Sequence, residues 1–220
     1  MKKTSSLLFL CCVSSVLFAQ VYSFDEKVDS KILSHRILMD EQYFIETVFD
    51  SANGAFVLTR GGFYTQHKKT VSVSFEFNSN IEADQLKTKL YRPDASWKKI
   101  SKTDQLLEGK WLMAGRVKPE GEQRRDLNRS RKTMKLLLDG YFQWIAFDTS
   151  SFRFMGSGGG TYTAKKGTYV ETLDYFSRDN SKVGKVLPFT FTRKNNDWYH
   201  QGLNSKGNPM HEIWHWRNGQ

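Results

Sequence analysis

Two motifs in this chain have the spacing of known catalytic or binding sequences. Residues 211–215 read His-Glu-Ile-Trp-His, the His-Glu-x-x-His pattern of zinc peptidases. That chemistry needs a helix, because only a helix brings positions i and i+4 to one metal ion. Pro209 precedes the pattern and aromatic residues alternate through it, which favours a strand. We therefore predict no metal site there.

The second motif is a glycine run at residues 156–160, Gly-Ser-Gly-Gly-Gly. A phosphate-binding loop would be followed by a helix carrying Gly-Lys-Ser or Gly-Lys-Thr, and neither follows here. We predict a β-bulge or a tight crossing in a sheet instead.

Glu171 is the side chain that stands out by its position. Residues 168–176 alternate so that Tyr169, Glu171, Leu173 and Tyr175 share one face, and their size predicts a buried face. Arg193 occupies a similar inward position on the next predicted strand, and a buried carboxylate needs a partner. The sequence therefore predicts that Glu171 pairs either with Arg193 or with a ligand.

Conventional catalytic arrangements are missing from the sequence. It contains no Ser/His/Asp order, no paired-carboxylate motif and no cofactor fingerprint. We expect a protein without enzymatic activity and without a cofactor. The alternative that stays open is a cyclase or hydrolase that uses Glu171 as a general acid or base.

The elements that would position these residues are strands. Aromatic and β-branched runs recur between Gly, Asn, Asp and Lys clusters, which predicts an all-β protein. Only residues 104–109 and 122–133 have helical character. The predicted strands are 32–39, 43–50, 55–60, 62–67, 70–77, 86–91, 96–100, 109–116, 134–139, 141–148, 152–156, 160–165, 168–176, 186–193, 197–203 and 211–217.

One segment of the chain occurs twice. Residues 43–75 and 141–173 align without a gap at an offset of 98, with 11 identical positions among 33. The identities include the pairs Gly61-Gly62 and Gly159-Gly160. A period near 100 residues is too long for a solenoid repeat. We predict two similar domains, residues 20–103 and 104–220, after a leader at residues 1–19.

The second half resembles lipocalin-like (calycin) β-barrels. It opens with Gly109-Lys-Trp111 and ends with Arg217, the glycine, tryptophan and arginine of the calycin signature. The resemblance implies two tandem antiparallel barrels, the first one shorter and either complete or incomplete, and an Arg217 guanidinium packed across the Trp111 indole. It also implies a habit of binding small molecules.

The second copy differs from the first where Glu171 replaces Val73. We therefore predict a small apolar or amphipathic ligand in the second barrel. Glu171 or Arg193 would orient its polar group, and interior aromatic residues would supply contact area. Those aromatic residues are Trp144, Tyr162, Tyr169 and Phe191.

The first 19 residues resemble a secretory signal. Lys2 and Lys3 precede an apolar run too short to span a bilayer, and Ala19 precedes the expected cleavage site. Cys11 and Cys12 are the only cysteines, and the apolar residues after them disfavour a lipid anchor. We expect an exported protein, periplasmic or extracellular, with no disulfide and no transmembrane segment.

Positive charge is concentrated in the second half. Residues 20–104 contain 12 Lys and Arg against 12 Asp and Glu, whereas residues 105–220 contain 19 against 11. The basic loop 124–135 holds the candidate anion-attracting side chains Arg129, Arg131 and Lys132. It is either a solvated loop or a rim that attracts a ligand carboxylate, a lipid head group or an acidic partner. Nucleic acid is not expected, because aromatic residues do not interleave with this loop.

Overall fold

A computed structural model describes residues 20–102, 105–204 and 206–217. The predicted signal segment and the predicted domain boundary at residues 103 and 104 lie outside these ranges. The strands of the first half are β1 (Gln20–Val28), β2 (Lys31–Met39), β3 (Tyr43–Asp50), β4 (Phe56–His67), β5 (Thr70–Asn78), β6 (Thr88–Tyr91) and β7 (Lys98–Ile100). The strands of the second half are β8 (Gly109–Lys118), β9 (Gly121–Arg124), β10 (Arg131–Leu138), β11 (Tyr141–Asp148), β12 (Arg153–Lys165), β13 (Thr168–Phe176), β14 (Val186–Lys194), β15 (Asp197–Leu203) and β16 (Pro209–Trp216).

The second half is a closed antiparallel barrel. Its strands follow the order β10-β11-β12-β13-β14-β15-β16-β8, and a further pairing of β10 with β8 closes the ring at eight strands. Strand β9 lies outside the ring as a hairpin on β8. The all-β class is therefore confirmed. The helical character of residues 122–133 was misleading, since β9 and β10 occupy both ends of that segment.

The first half is an open sheet and not a second closed barrel. Its order is β6-β5-β4-β3-β2-β1-β7, and no pairing joins β6 to β7 among the described residues. Strand β7 pairs with β1 as β16 pairs with β8 in the barrel. The sheet lacks a counterpart of β15, so a gap of one strand remains. A one-turn helix, α1 (Ile81–Asp84), lies between β5 and β6.

Residues that lie 98 positions apart make equivalent strand pairings in the two halves. In both, the register shifts inside the glycine pair, between Gly61 and Gly62 and between Gly159 and Gly160. A Cβ atom on Gly62 would lie 1.9 Å from the Ser74 carbonyl oxygen, and one on Gly160 would lie 1.9 Å from the Thr172 carbonyl oxygen. The predicted bulge is confirmed, and β4 and β12 each run through it where two strands were expected.

The equivalence extends beyond the segment that aligns in sequence. Ile37 of β2 pairs with Tyr22 of β1, and Lys135 of β10 pairs with Trp111 of β8. Lys135 follows Ile37 by 98 residues, so the two occupy equivalent positions. Trp111 therefore takes the place of Tyr22.

The sheet and the barrel pack back to back. Alternation sends Leu38 and Leu136 into a shared core, whereas their neighbours Ile37 and Leu137 face the sheet interior and the barrel interior. Phe56 stacks on its own counterpart Phe154 with ring centroids 5.6 Å apart.

Two further ring pairs mirror each other across this contact. Phe49 stacks on Tyr175 at 5.3 Å, and Phe77 packs on Phe147 at 5.0 Å. Each pair becomes the other when 98 is added to or subtracted from its residue numbers. The contact is therefore arranged like the isologous interface of a two-fold dimer.

Two arginines reinforce the contact in equivalent ways. The Arg36 guanidinium lies 4.9 Å from the Tyr141 ring and 2.7 Å from the Asp174 carboxylate. The Arg217 guanidinium lies 5.2 Å from the equivalent ring, Tyr43, and 2.8 Å from the equivalent carboxylate, Glu76.

The expectation that Arg217 packs across Trp111 was wrong. Arg217 follows the last residue of β16, where its side chain turns out of the barrel toward the sheet and is buried there. Within the described ranges, no helix has the length and apolar character needed to cross a bilayer.

Candidate ligand-binding cavity

One end of the barrel is closed by tryptophans. The Trp111 ring contacts Trp216 at 5.0 Å and Trp198 at 5.7 Å, and its Nε1–H donates to the Leu107 carbonyl oxygen. Gly109 makes this packing possible, because a Cβ atom there would lie 2.1 Å from the Trp216 ring.

Arg193 lies over the same end. Its guanidinium is 4.9 Å from the Trp111 ring, in the place expected for Arg217. Arg193 is exposed and pairs in register with Trp198. It therefore stabilises the closed end from outside and lies away from Glu171.

The opposite end contains a cavity of about 300 Å³. Its floor is polar and its walls are mostly aromatic and aliphatic. Two exposed cations, Arg178 and Lys206, lie at its mouth. The lining residues are Thr133, Lys135, Trp144, Glu171, Leu173, Phe176, Arg178, Leu187, Phe189, His200, Asn204, Lys206, Met210, Glu212 and Trp214.

A buried ion pair forms part of the floor. Lys135 Nζ donates to Glu171 Oε1 at 2.6 Å, and both side chains are about 95 % buried, with 5 % and 6 % exposure. The Tyr169 hydroxyl also donates to Glu171 Oε1, at 2.9 Å. Glu171 does point inward, but its partner is Lys135 and not Arg193.

Four aromatic rings surround the Lys135 ammonium group. The distances from Nζ to the ring centroids are 5.1 Å for Tyr169, 5.9 Å for Phe189, 5.2 Å for Trp198 and 5.1 Å for Trp214. Ring faces attract a cation within about 6 Å, and the attraction grows when water is excluded. The cage and the carboxylate together stabilise a positive charge inside the barrel.

His200 is the unsatisfied group of the floor. It is 1 % exposed, and neither ring nitrogen has a hydrogen-bond partner among the described residues. Its Nδ1 lies 3.8 Å from Glu212 Oε2, too far for a hydrogen bond. Burial, followed by the positive charge of Lys135, lowers the pKa of His200 to about 4. The ring is neutral at pH 7 and offers one donor and one acceptor.

The open sheet has no ion pair at the equivalent positions. Ile37 stands for Lys135 and Val73 stands for Glu171, and both are fully buried in an apolar cluster. The fold therefore accommodates two apolar side chains where the barrel places two charges.

The sheet has its own buried charged network. Glu46 accepts hydrogen bonds from Arg60 Nε at 2.7 Å and the Tyr91 hydroxyl at 2.7 Å, and it lies 3.1 Å from His35 Nδ1. Burial alone would raise the pKa of Glu46, but the His35 hydrogen bond and the charges of Arg60 and Lys89 outweigh burial and lower that pKa to about 2. The partners of Glu46 all belong to the protein.

Some of the residues selected from the sequence line the cavity and others do not. Trp144 and Glu171 line it, and Tyr169 contacts its floor through Glu171. Tyr162 packs on Tyr169 at 5.6 Å, deeper in the barrel. Phe191, like Arg193, is absent from the lining.

Tyr175 does not share the inward face with Glu171, contrary to the expectation. Gly159 pairs with Tyr175 and Gly160 with Leu173, so Asp174 is the extra residue of the bulge. The bulge reverses the alternation, which turns Tyr175 outward onto Phe49 and lets Phe176 line the cavity.

The basic side chains Arg129, Arg131 and Lys132 are away from the cavity lining. Arg129 and Arg131 are exposed, and Lys132 Nζ donates to the Leu127 carbonyl oxygen at 2.9 Å. The His-Glu-x-x-His residues lie on strand β16, as the alternation predicted. In the described part of the chain, no three His, Cys, Asp or Glu side chains are grouped as metal ligands would be.

Lys135 and His200 are the two floor residues that were not among the ligand-binding residues predicted from the sequence. Lys135 lies in a basic run that was interpreted as a loop, and His200 lies between polar neighbours. Extending the alignment at the offset of 98 by six residues toward the N-terminus would have matched Lys135 with Ile37 and identified it.

Comparison with known proteins does not assign this chain to a family. Neither a scan against protein-family models nor a search of curated proteins gives a match to this chain. The cavity and its residues are therefore the basis for a functional conclusion.

Proposed function

We propose that this protein is an exported, lipocalin-like carrier that binds a small apolar or amphipathic molecule in the cavity of its barrel. The observation that carries the proposal is the polar floor of the cavity, where His200 is buried with two unpartnered ring nitrogens beside the Lys135–Glu171 pair. Leaving a buried polar group unsatisfied costs about 1 to 3 kcal/mol. A ligand group that bonds to His200 would recover part of that cost.

The charges on the floor favour a neutral polar group on the ligand. Lys135 and Glu171 balance each other, and Glu212 lies 3.9 Å from the Arg116 guanidinium. A charged head group would add an unbalanced charge beside floor side chains that are almost fully buried. A hydroxyl or carbonyl group can bond to neutral His200 without that penalty.

The cavity volume limits the size of the ligand. At roughly 30 Å³ for each non-hydrogen atom, the volume a water molecule takes in the liquid, about 300 Å³ accommodates about ten such atoms. Trp144, Phe176 and Phe189 supply flat apolar walls. An aromatic or short aliphatic alcohol fits this description.

A duplication would explain why one chain contains both a barrel with a cavity and a related sheet that lacks one strand. In our proposal both halves descend from one lipocalin-like unit, and the first lost or never gained the strand equivalent to β15. The first half then serves as a packed base for the second, through a contact like that of a two-fold dimer.

A blocked cavity tests the site. Leu187→Trp places a large ring in the cavity from β14, whereas Val186→Trp changes the neighbouring residue, which is 59 % exposed on the outer face. We expect cinnamyl alcohol, with about ten non-hydrogen atoms, to bind the parent and Val186→Trp alike and to bind Leu187→Trp at least about tenfold more weakly. Titration calorimetry measures all three.

Equal binding by the two tryptophan variants would place the ligand elsewhere. If the parent binds neither the alcohol nor a panel of apolar probes, the carrier proposal fails. The alternative that then takes its place is a non-catalytic interaction module that docks an acidic partner through the basic loop 124–135.

A further inference from the structure

We infer that Lys135 is a covalent attachment site, at which an amphipathic aldehyde forms an imine inside the barrel. The inference rests on the proposed function and names a ligand class for the same cavity. Lys135 brings the only primary amine to the floor among the described lining residues, since Lys206 lies exposed at the mouth. An aldehyde seated with its carbonyl group on the floor would meet this amine.

The surroundings of Lys135 suit a protonated imine as well as they suit an ammonium group. Glu171 Oε1 lies 2.6 Å from Nζ, and four ring centroids lie within 5.9 Å of it. Both species place one positive charge on the same nitrogen. Imine formation therefore leaves the buried charge and its carboxylate partner in place, and no new charge is desolvated.

Glu171 is placed to move the protons that the reaction requires. It accepts a proton from the Lys135 ammonium group, and the free amine attacks the aldehyde carbon, so that the C–N bond forms as the C=O π bond opens. A proton then moves from this nitrogen to the oxygen, which becomes a hydroxyl group. The resulting hydroxyl group takes the proton back from Glu171 and leaves as water, while the nitrogen lone pair forms the C=N bond. The ammonium and the aldehyde thus become a protonated imine and one water molecule, and Glu171 is again a carboxylate.

His200 would hold the aldehyde in place for this attack. As a neutral ring it donates one N–H bond, and a carbonyl oxygen is an acceptor of that bond. The hydrogen bond would polarise the carbonyl group toward the amine. His200 thereby acts as a positioning residue.

The fold itself does not require an amine at this position. The equivalent residue of the sheet is Ile37, opposite Val73, and that half of the molecule packs an apolar cluster there. Replacing a buried ion pair by apolar residues is often neutral or stabilising. An amine at this position therefore serves the proposed chemistry and is not required by the packing of the fold.

Reductive trapping tests the inference on the whole protein. The parent is incubated with cinnamaldehyde and cyanoborohydride, and the modified lysine is located by peptide mass spectrometry. We expect one adduct per chain at Lys135, exceeding labelling at every other lysine by at least about tenfold, because the cavity holds the two reactants together. Before reduction, the protonated conjugated imine should shift the absorbance of cinnamaldehyde to longer wavelength.

Two arginine variants serve as matched controls. Lys135→Arg keeps the positive charge and should lose the adduct and the absorbance shift, whereas Lys165→Arg, at an exposed residue outside the cavity lining, should keep both. His200→Phe should slow trapping at Lys135 and leave labelling of surface lysines unchanged. Because labelling is mapped on the parent, the test stands even if Lys135→Arg fails to fold.

The outcomes separate the inference from the proposed function. If cinnamyl alcohol binds in the cavity but Lys135 remains unmodified, or if Lys206 is modified in its place, the covalent site is overturned and the carrier stands. If neither the alcohol nor the aldehyde enters the cavity, both fail together.

Discussion

The sheet and the barrel bury ionisable groups in different ways on strands of the same register. In the sheet, the Glu46 carboxylate is bonded by Arg60 and Tyr91 and lies against His35, so its bonding capacity is used within the protein. In the barrel, Lys135 and Glu171 lie beside a cavity, and His200 has no hydrogen-bond partner in the described structure. A completed network serves stability, whereas an incomplete one beside a cavity leaves bonds for a ligand.

The positions that carry buried charges in one half carry uncharged residues in the other half. Glu46 corresponds to Trp144, a cavity wall, and Arg60 corresponds to Gly158. A Cβ atom on Gly158 would lie 2.7 Å from Trp144 Nε1 and 2.8 Å from the Phe176 ring. The barrel therefore gives up the charged network of the sheet at the place where its cavity forms.

Breaking either set of charges should cause the largest loss of stability. Glu171→Val leaves Lys135 buried without its carboxylate and should lower the free energy of unfolding by about 3 to 5 kcal/mol. Glu46→Val should cost a similar amount by stranding Arg60. Urea unfolding measures both, and a Glu171→Val variant as stable as the parent would show that the Lys135 charge is compensated from elsewhere.

The two halves should respond to acid in different pH ranges. The pKa of His200 is lowered from 6.5 to about 4, so the unfolded chain binds this proton first, and the contribution of His200 to stability is lost as pH falls from 6.5 to 4. The pKa of Glu46 is lowered from 4.5 to about 2, so its contribution is lost as pH falls from 4.5 to 2. Each contribution is on the order of 3 kcal/mol.

Variants of His200 and Glu46 show which residue is responsible for the loss of stability in each pH range. The difference in the free energy of unfolding between the parent and His200→Phe should change between pH 7 and pH 4, and the difference between the parent and Glu46→Gln should change below pH 4.5. A difference for His200→Phe that is constant from pH 7 to pH 4 would mean that this imidazole ionises normally in the folded barrel.

The contact between the sheet and the barrel should depend on both arginines. Arg217→Ala removes the ion pair with Glu76 and the contact with Tyr43, and should cost about 2 to 3 kcal/mol. Arg36→Ala should cost somewhat less, because the Asp174 side chain is 31 % exposed. Thermal unfolding compares the two, and an Arg217→Ala variant that melts with the parent would contradict a role for this residue in joining the halves.

Local patterns predicted most of the strands, and long-range contacts account for what was missed. Alternation and turn residues placed β3, β11, β13 and β15 at their observed bounds, because those signals act within a few residues. The partner of Arg217 could not be predicted, since Glu76 lies on the other half and nothing in the sequence specifies how two sheets pack. The missing strand of the first half was visible only as a shorter segment.

The candidate site was predicted in part for the same reason. The contrast between Glu171 and Val73 drew attention to a strand that lines the cavity, but Arg193 was chosen as the partner of Glu171 because it lies on the next strand in sequence. Barrel closure brings β10 across the interior to Glu171, and that closure depends on the pairing of β10 with β8.

The central claim is that the charged floor of the cavity selects a ligand with a polar group. The most direct test is a double variant, Lys135→Ile with Glu171→Val, which gives the barrel the residues of the sheet at these two positions and should fold, since the sheet packs the same pair. Its dissociation constants for cinnamyl alcohol and for the hydrocarbon β-methylstyrene are compared with those of the parent. We predict that the parent prefers the alcohol by about fivefold or more, roughly 1 kcal/mol, and that the double variant, which keeps His200 but lacks the ion pair, loses part of this preference. The same preference in both proteins would contradict the account.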